Sequence, residues 1–382
     1  MNLADAVLVL APIEARLAQP LGFLPADHPR AAAAGSPLRT ADGDAMRRLF
    51  AAAGLRSPRT VSDPDDLSVY DKIAADALAT AAVEPSDLEA PEASMALARA
   101  RSEGEAAPGA AERRRIVRSG DGVLLSALRV GQPAGTPFLV FGAPGTPAGL
   151  ISGWLRGLGR HRPVLTWETR GLFGPHGEVV SSLGIAAQLL DACAVLDDGG
   201  WSEVHVLGLC GGAALALAFA SAHPARVRSL SLWFGDYELG DLALKTDHQR
   251  NLQALMQMVV AGRTSAGSLH TALIRTMTRL TEPDLAPLAL YPYANPRLLG
   301  QYCHMNYPIM STNCAQYLER IRAPGLVVFS PDDVTTHPDG SRAVARRLGA
   351  KLEEIATSGH LHAFRGHAAD VHRALSFHLA AE

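Results

Sequence analysis

Val204-His205-Val206-Leu207-Gly208-Leu209-Cys210-Gly211-Gly212-Ala213-Ala214-Leu215-Ala216 begins as an apolar stretch, crosses a glycine-rich turn and continues as an alanine- and leucine-rich run. Its first part reads as a short buried strand and its last as a helix. Between them, Gly208-Leu209-Cys210-Gly211-Gly212 has the spacing of the G-x-S-x-G elbow, with cysteine replacing serine. A nucleophile held on so sharp a turn has strained backbone angles and close neighbours. Side chains two residues to either side would collide, which is the work of the glycines. The turn also puts a sulfur at a helix N-terminus, where the dipole and free N–H groups favour a thiolate. A small buried cysteine at an ordinary turn would leave the same short trace, so the rest of the chain has to decide.

The 382 residues, 48% of them hydrophobic, suffice for one large α/β domain plus an accessory segment. A formal net charge of −3 offers no basic footprint for nucleic acid and no polybasic membrane patch. Cys193, Cys210, Cys303 and Cys314 show neither CxxC nor Cys/His metal spacing, so no metal or cofactor is expected, and a reduced, cytoplasmic protein is. The stretch 1–19 is apolar in places, but Asp5, Glu14 and Arg16 interrupt it and no basic segment precedes it. It reads as neither signal peptide nor membrane span.

Residues 1–110 read as a separate, mostly helical extension. Ala6–Leu10 suggests a short strand, followed by a stretch broken by Pro20, Pro25, Pro29 and Pro37. Ala45–Ala53, Val69–Ala82 and Glu84–Ala98 read as helices, and Arg101–Ala111 as a charged linker. From Arg113 strands alternate with helices, the pattern of a mainly parallel sheet within residues 111–382. Arg115–Arg118 and Val123–Val130 form a hairpin pair, with further strands at Pro137–Phe141, Pro163–Trp167, Val227–Trp233, Gly325–Phe329 and Lys351–Ile355. Residues 237–321 break the alternation with helices and prolines, as a cap over the catalytic face would. Met256, Met258, Met277, Met305 and Met310 there suit either an apolar acyl pocket or plain packing.

Acyl transfer needs a nucleophile, a base, an acid that orients the base, and donors for the oxyanion. Parallel sheets place such groups at the C-terminal ends of their strands. After the last strand stands His360, with His362 and His367 as competitors. After the preceding strand stands Asp333; Asp332 beside it and Asp236 at the end of an earlier strand remain open as the acid. The oxyanion donors would be the backbone N–H groups of Gly211 and of Ala143, the latter in Phe141-Gly142-Ala143-Pro144-Gly145.

Together these elements resemble the α/β-hydrolase superfamily over residues 113–382, in that fold's order of nucleophile, acid and histidine: Cys210, Asp333, His360. Phe141–Gly145 looks like the family's His-Gly-x-Pro-Gly turn with phenylalanine in place of histidine, and Glu168-Thr169-Arg170-Gly171 is similar to its Asp-x-Arg-Gly turn. The resemblance implies an α/β-hydrolase fold with a helical cap and an N-terminal extension. Cysteine is the departure, and it is similar to what dienelactone-hydrolase-type and some thioesterase-type members carry. It implies hydrolysis or transfer of an acyl group from a small-molecule ester or thioester through an acyl-Cys210 intermediate. The alternative is a catalytically idle relative acting as a binding or scaffold protein. The stretch from Gly54 to Leu88 resembles the N-terminal region of ketosynthase III-like enzymes, without their active site, and implies a docking surface for an acyl carrier protein or another biosynthetic partner.

Overall fold

The computed structural model describes residues 2–14, 17, 19–25, 28, 43–104, 113–131, 134–173, 182–280, 282–357 and 359–382. The chain divides into two compact units, one of Met1–Glu105 with Gly267–Leu299, the other of Ala106–Ala266 with Gly300–Glu382.

In the first unit, Leu3–Glu14 is a helix, so the expected strand at Ala6–Leu10 is overturned. A continuous apolar run suits a buried helix as well as a strand, and the start signal was Asn2. Its side chain accepts from Asp5 N at 2.9 Å, which caps the first turn. Nor is Glu84–Ala98 one helix, because Pro91 divides it into Pro85–Glu89 and Pro91–Gly104. Ala90, before the proline, is pushed to φ −137°, ψ 62°, outside the helical region. The buried Asp71 ties this unit together: it completes a capping box with Ser68 on the Val69–Ala79 helix and accepts from Gly22 N at 2.7 Å. The expected linker Arg101–Ala111 is helical to Gly104 and otherwise lies outside the described residues.

The second unit is built on an eight-stranded sheet. In chain order its strands are β1 (Arg113–Arg118), β2 (Leu124–Val130), β3 (Phe138–Phe141), β4 (Val164–Trp167), β5 (Val204–Leu209), β6 (Val227–Trp233), β7 (Gly325–Phe329) and β8 (Lys351–Glu354). They lie in the order β8-β7-β6-β5-β3-β4-β2-β1, with the six from β8 to β4 parallel and the β1–β2 hairpin antiparallel at one edge. β5 is central, paired to β3 and β6, and buried at every residue, as befits a mostly apolar strand covered on both faces, whose one polar side chain, His205, is hydrogen-bonded. The helix that follows, Gly211–Ala222, is buried from Gly211 to Ser221, so its alanines are set by close packing rather than by amphipathic periodicity. No helix among the described residues is long and apolar enough to cross a membrane.

Beneath the sheet lies a buried polar chain. His205 Nδ1 is hydrogen-bonded to Ser229 Oγ at 2.7 Å, Ser229 Oγ to His378 Nδ1 at 2.6 Å, and His378 Nε2 to Ser231 Oγ at 2.8 Å. Burial holds both imidazoles below the usual 6.5, His378 strongly so, while Glu382 partly offsets the effect at His205. Below that ordinary value the unfolded chain takes up protons that the folded chain refuses, so folding stability falls as pH drops from 6.5 toward the depressed values. We expect His378→Gln to lose less, or gain more, melting temperature than wild type as pH drops from about 7 to about 5, because it lacks the depressed imidazole. Thermal denaturation across that range checks it; parallel profiles would remove His378 as the cause.

Candidate active site

Cys210 follows β5 with φ 52° and ψ −126°, a conformation that side-chain-bearing residues seldom adopt. The strain is held in place from both sides. Cys210 N donates to Trp233 O on β6 at 3.0 Å, and its carbonyl accepts from Ala213 N at 3.0 Å and Asp236 N at 3.2 Å. The flanking glycines are sterically required. A methyl group on Gly208 would lie 2.7 Å from Ala213 Cα, and one on Gly212 2.2 Å from Phe141 O and 2.4 Å from Gly142 O. Gly212→Ala should therefore push the helix away from the 141–145 turn, at a cost of several kcal/mol, about the upper end for overpacking. Urea denaturation would read it as a lowered midpoint; a midpoint equal to wild type would mean the contact yields freely.

The same packing sets Gly211 against the 141–145 turn, a methyl on Gly211 lying 3.1 Å from Pro144 Cδ. The turn is pinned by the residues after β4. Gly145 N donates to Thr169 Oγ1 at 3.0 Å and Ala148 N to Glu168 Oε2 at 3.1 Å. Arg170 next to them is buried and anchors the loop, donating to Asp191 at 2.7 Å, Ser119 at 3.0 Å and Asp121 at 2.5 Å. Burial resists the Arg170 charge, but the two carboxylates outweigh it and hold the guanidinium protonated. So Glu168-Thr169-Arg170 fixes the shape of the turn carrying Ala143.

Asp333 and His360 meet. His360 Nδ1 lies 2.8 Å from Asp333 Oδ2, with the two side chains 8% and 2% exposed. Asp333 also accepts from Thr335 N at 2.8 Å, Thr336 N at 3.1 Å and Thr336 Oγ1 at 2.7 Å. Burial alone would raise its pKa, yet His360 and the Thr336 donors lower it below the ordinary carboxylate value. Burial likewise opposes charge on His360, but the Cys210 sulfur and the Asp333 carboxylate outweigh it and raise the imidazole well above 6.5. His360 Nε2 is buried without a hydrogen-bond partner among the described residues.

The competing residues are engaged elsewhere. His362 Nε2 bonds Asp370 Oδ2 at 2.9 Å, and His367 lies at the start of the Ala368–Leu379 helix with its ring 4.7 Å from that of His362. Asp332 is exposed, its N–H turned to Ser330 Oγ at 3.3 Å. Asp236 accepts from Gln249 Nε2 at 2.6 Å and is raised in pKa by burial, an effect that Gln249, Lys245, His360 and His248 reduce. Of the methionines in residues 237–321, Met256, Met305 and Met310 are buried and Met258 is exposed.

Sequence reading passed over Tyr237, Tyr302 and Asn306, neighbours of the elbow and its facing turn that carry no motif. The Tyr237 hydroxyl is buried without a hydrogen-bond partner among the described residues. On the Pro296–Ser311 helix, Tyr302 and Met305 pack against Gly145, where a methyl would lie 2.7 Å from Tyr302 Cδ2 and 3.0 Å from Met305 Cε. Asn306 follows on the same helix, buried, with a methyl on Gly211 lying 3.9 Å from its Oδ1.

No family model matches the chain, and no curated protein matches it by sequence. Solved structures do match its shape. A hydrolase from Pseudomonas aeruginosa superposes with a TM-score of 0.54 at 22% identity, over 69% of this chain and 98% of that one. A thermophilic esterase from Thermogutta terrifontis gives 0.55 at 16% identity, over 70% and 99%. A 2-hydroxy-6-oxo-6-phenylhexa-2,4-dienoate hydrolase from Rhodococcus sp. strain RHA1 gives 0.54 at 15%, over 70% and 100%. With the strand order above, these likenesses establish the α/β-hydrolase fold.

Proposed function

We propose that this chain is an acyl-transfer enzyme that takes an acyl group from a small-molecule ester or thioester onto Cys210 and passes it to water or another nucleophile. The observation that carries the reading is the 2.8 Å Asp333–His360 pair, with His360 Nε2 buried and without a hydrogen-bond partner among the described residues. In the first step Cys210 Sγ forms a bond to the acyl carbon while its proton passes to His360 Nε2. Negative charge gathers on the carbonyl oxygen, and the N–H groups of Gly211 and Ala143 are the donors assigned to it; one such donor is worth roughly 3 kcal/mol in other acyl-transfer enzymes. The carbon–leaving-group bond then breaks and His360 returns its proton to the departing alcohol or thiol. In the second step His360 takes a proton from the incoming nucleophile, which attacks the acyl carbon, and Cys210 leaves as thiol once the proton returns to sulfur.

The ion pair with Asp333 fits this cycle. It keeps the Nδ1–H toward the carboxylate, so Nε2 is the ring nitrogen left to take up and return the proton exchanged with sulfur. Sulfur also bears on the outcome. An acyl thioester retains more transfer potential than an oxygen ester, so the Cys210 adduct can be resolved by amines, alcohols or thiols as well as by water. Intact-protein mass spectrometry after brief exposure to a panel of acyl thioesters and aryl esters tests the reading. The expected result is a single acyl adduct on Cys210 whose lifetime with water, amines and thiols separates hydrolysis from transfer. Lack of any adduct across the panel, with Cys210 also inert to iodoacetamide, would leave a binding protein on a hydrolase scaffold.

A further inference from the structure

Asn306 is 5% exposed, and its side-chain amide is used on one side only. Nδ2 donates to Tyr302 Oη at 3.1 Å and to Met256 Sδ at 3.8 Å. A thioether can only accept, so the amide face turned toward Met256 has to be the NH2 group, and this fixes which way the carboxamide points. Oδ1 therefore faces the elbow, 3.9 Å from where a methyl on Gly211 would sit. No donor among the described residues reaches it. Oδ1 is thus an acceptor without a partner among the described residues, and it is not among the fully buried polar atoms, so a ligand can reach it beside the residue that follows the nucleophile.

An acceptor at this point works against an oxyanion, whose charge it would repel, so it is suited to an N–H or O–H of the ligand. The wall around it narrows the choice. Pro144 lies on one side, 3.1 Å from that same methyl position, and Tyr302 and Met305 close over Gly145 behind it. An acyl group whose carbonyl oxygen is directed at the Gly211 N–H would have its α and β carbons as the parts nearest the Gly211 side of the elbow, which Oδ1 faces. Resting on the acyl-Cys210 reading, we infer that Asn306 is a specificity-determining residue: its Oδ1 accepts a hydrogen bond from a donor on the α or β carbon of the acyl group. The substrate class is then hydroxyacyl, or similarly donor-bearing acyl, esters and thioesters rather than plain fatty acyl ones. A site built to pair with a hydroxyl discriminates strongly against the analogue that lacks it, because the protein group is then left unpaired.

The test uses N-acetylcysteamine thioesters of butyrate, 2-hydroxybutyrate and 3-hydroxybutyrate, with wild type, Asn306→Leu and Asn306→Ser. Rates of Cys210 acylation by intact mass should favour one hydroxyacyl donor by about 10-fold or more in wild type. Both variants should bring the hydroxyacyl-to-butyryl ratio close to one. Equal rates in wild type, or a ratio unchanged in the variants, would overturn the inference, as would a change confined to the partition between water and amine acceptors. A second arm needs no turnover: protection of Cys210 from iodoacetamide by 2- and 3-hydroxybutyramide against butyramide. Hydroxyl-dependent protection that is lost in the variants supports Asn306 even if no thioester labels the protein, and that outcome counts against the covalent reading alone. Labelling by all three thioesters without hydroxyl-dependent protection preserves the covalent reading and overturns this one.

Discussion

Cys210→Ala is expected to abolish acyl-adduct formation and to lower ester or thioester turnover by about 10⁶-fold, the loss seen when a triad nucleophile is removed. The fold should survive the change. Cys210 is only partly buried, its backbone angles are held by bonds from its own N–H and carbonyl, and alanine keeps both. A residual shortfall in stability from the strained φ of 52° is the same for alanine as for cysteine, since both carry a Cβ. Cys210→Ser is the more informative companion. It restores a hydroxyl at the G-x-S-x-G position, but takes away the sulfur that raises the His360 pKa. We expect serine to give turnover well below wild type, and the adduct to become an oxygen ester stable to hydroxylamine at neutral pH, where a thioester is cleaved. Turnover in Cys210→Ala equal to wild type would place the chemistry elsewhere in the unit.

Much of this arrangement could be read from residue order, and the reason differs from part to part. The elbow was legible because its constraint is steric: Gly208 and Gly212 stand where a methyl would meet backbone at 2.7 Å and 2.2 Å, and only glycine satisfies that. The meeting of Asp333 with His360 followed from strand ends, because β7 and β8 are neighbours in a parallel sheet and both loops leave from the same edge. What separated Asp333 from Asp332 was invisible in sequence. The turn bonds of Thr335 and Thr336 draw one carboxylate inward and leave the other in solvent, and those depend on backbone direction. The helix at Leu3–Glu14 was lost to an apolar run that periodicity cannot classify, and Asn306 to the absence of any motif. Its position beside Gly211 arises from tertiary packing of a helix nearly a hundred residues downstream (Pro296–Ser311), which no local pattern encodes.

Asp333→Asn should leave the fold nearly intact and still cut the acylation rate, by up to about 10⁴-fold as in serine triads. Oδ1 can keep its bonds from Thr335 N and Thr336 N, which turns the new Nδ2 toward Thr336 Oγ1 and His360 Nδ1. Thr336 Oγ1 can accept from it, and so can His360 Nδ1, provided the ring proton moves to Nε2. That exchange satisfies every hydrogen bond around position 333 while presenting the thiol with an N–H where it needs a lone pair. The variant therefore separates stability from chemistry: thermal denaturation should change little, and iodoacetamide labelling of Cys210 should slow along with acylation. The charge is lost as well, so His360 gives up one of the two influences that raise it, and its titration should move down toward 6.5, readable by NMR of the ring protons. Asp332→Asn and Asp236→Asn, at carboxylates not bonded to His360, should change the acylation rate far less. Were Asp236→Asn to take the larger loss instead, the acid would belong to the end of β6, and the 2.8 Å contact of Asp333 with His360 would be structural.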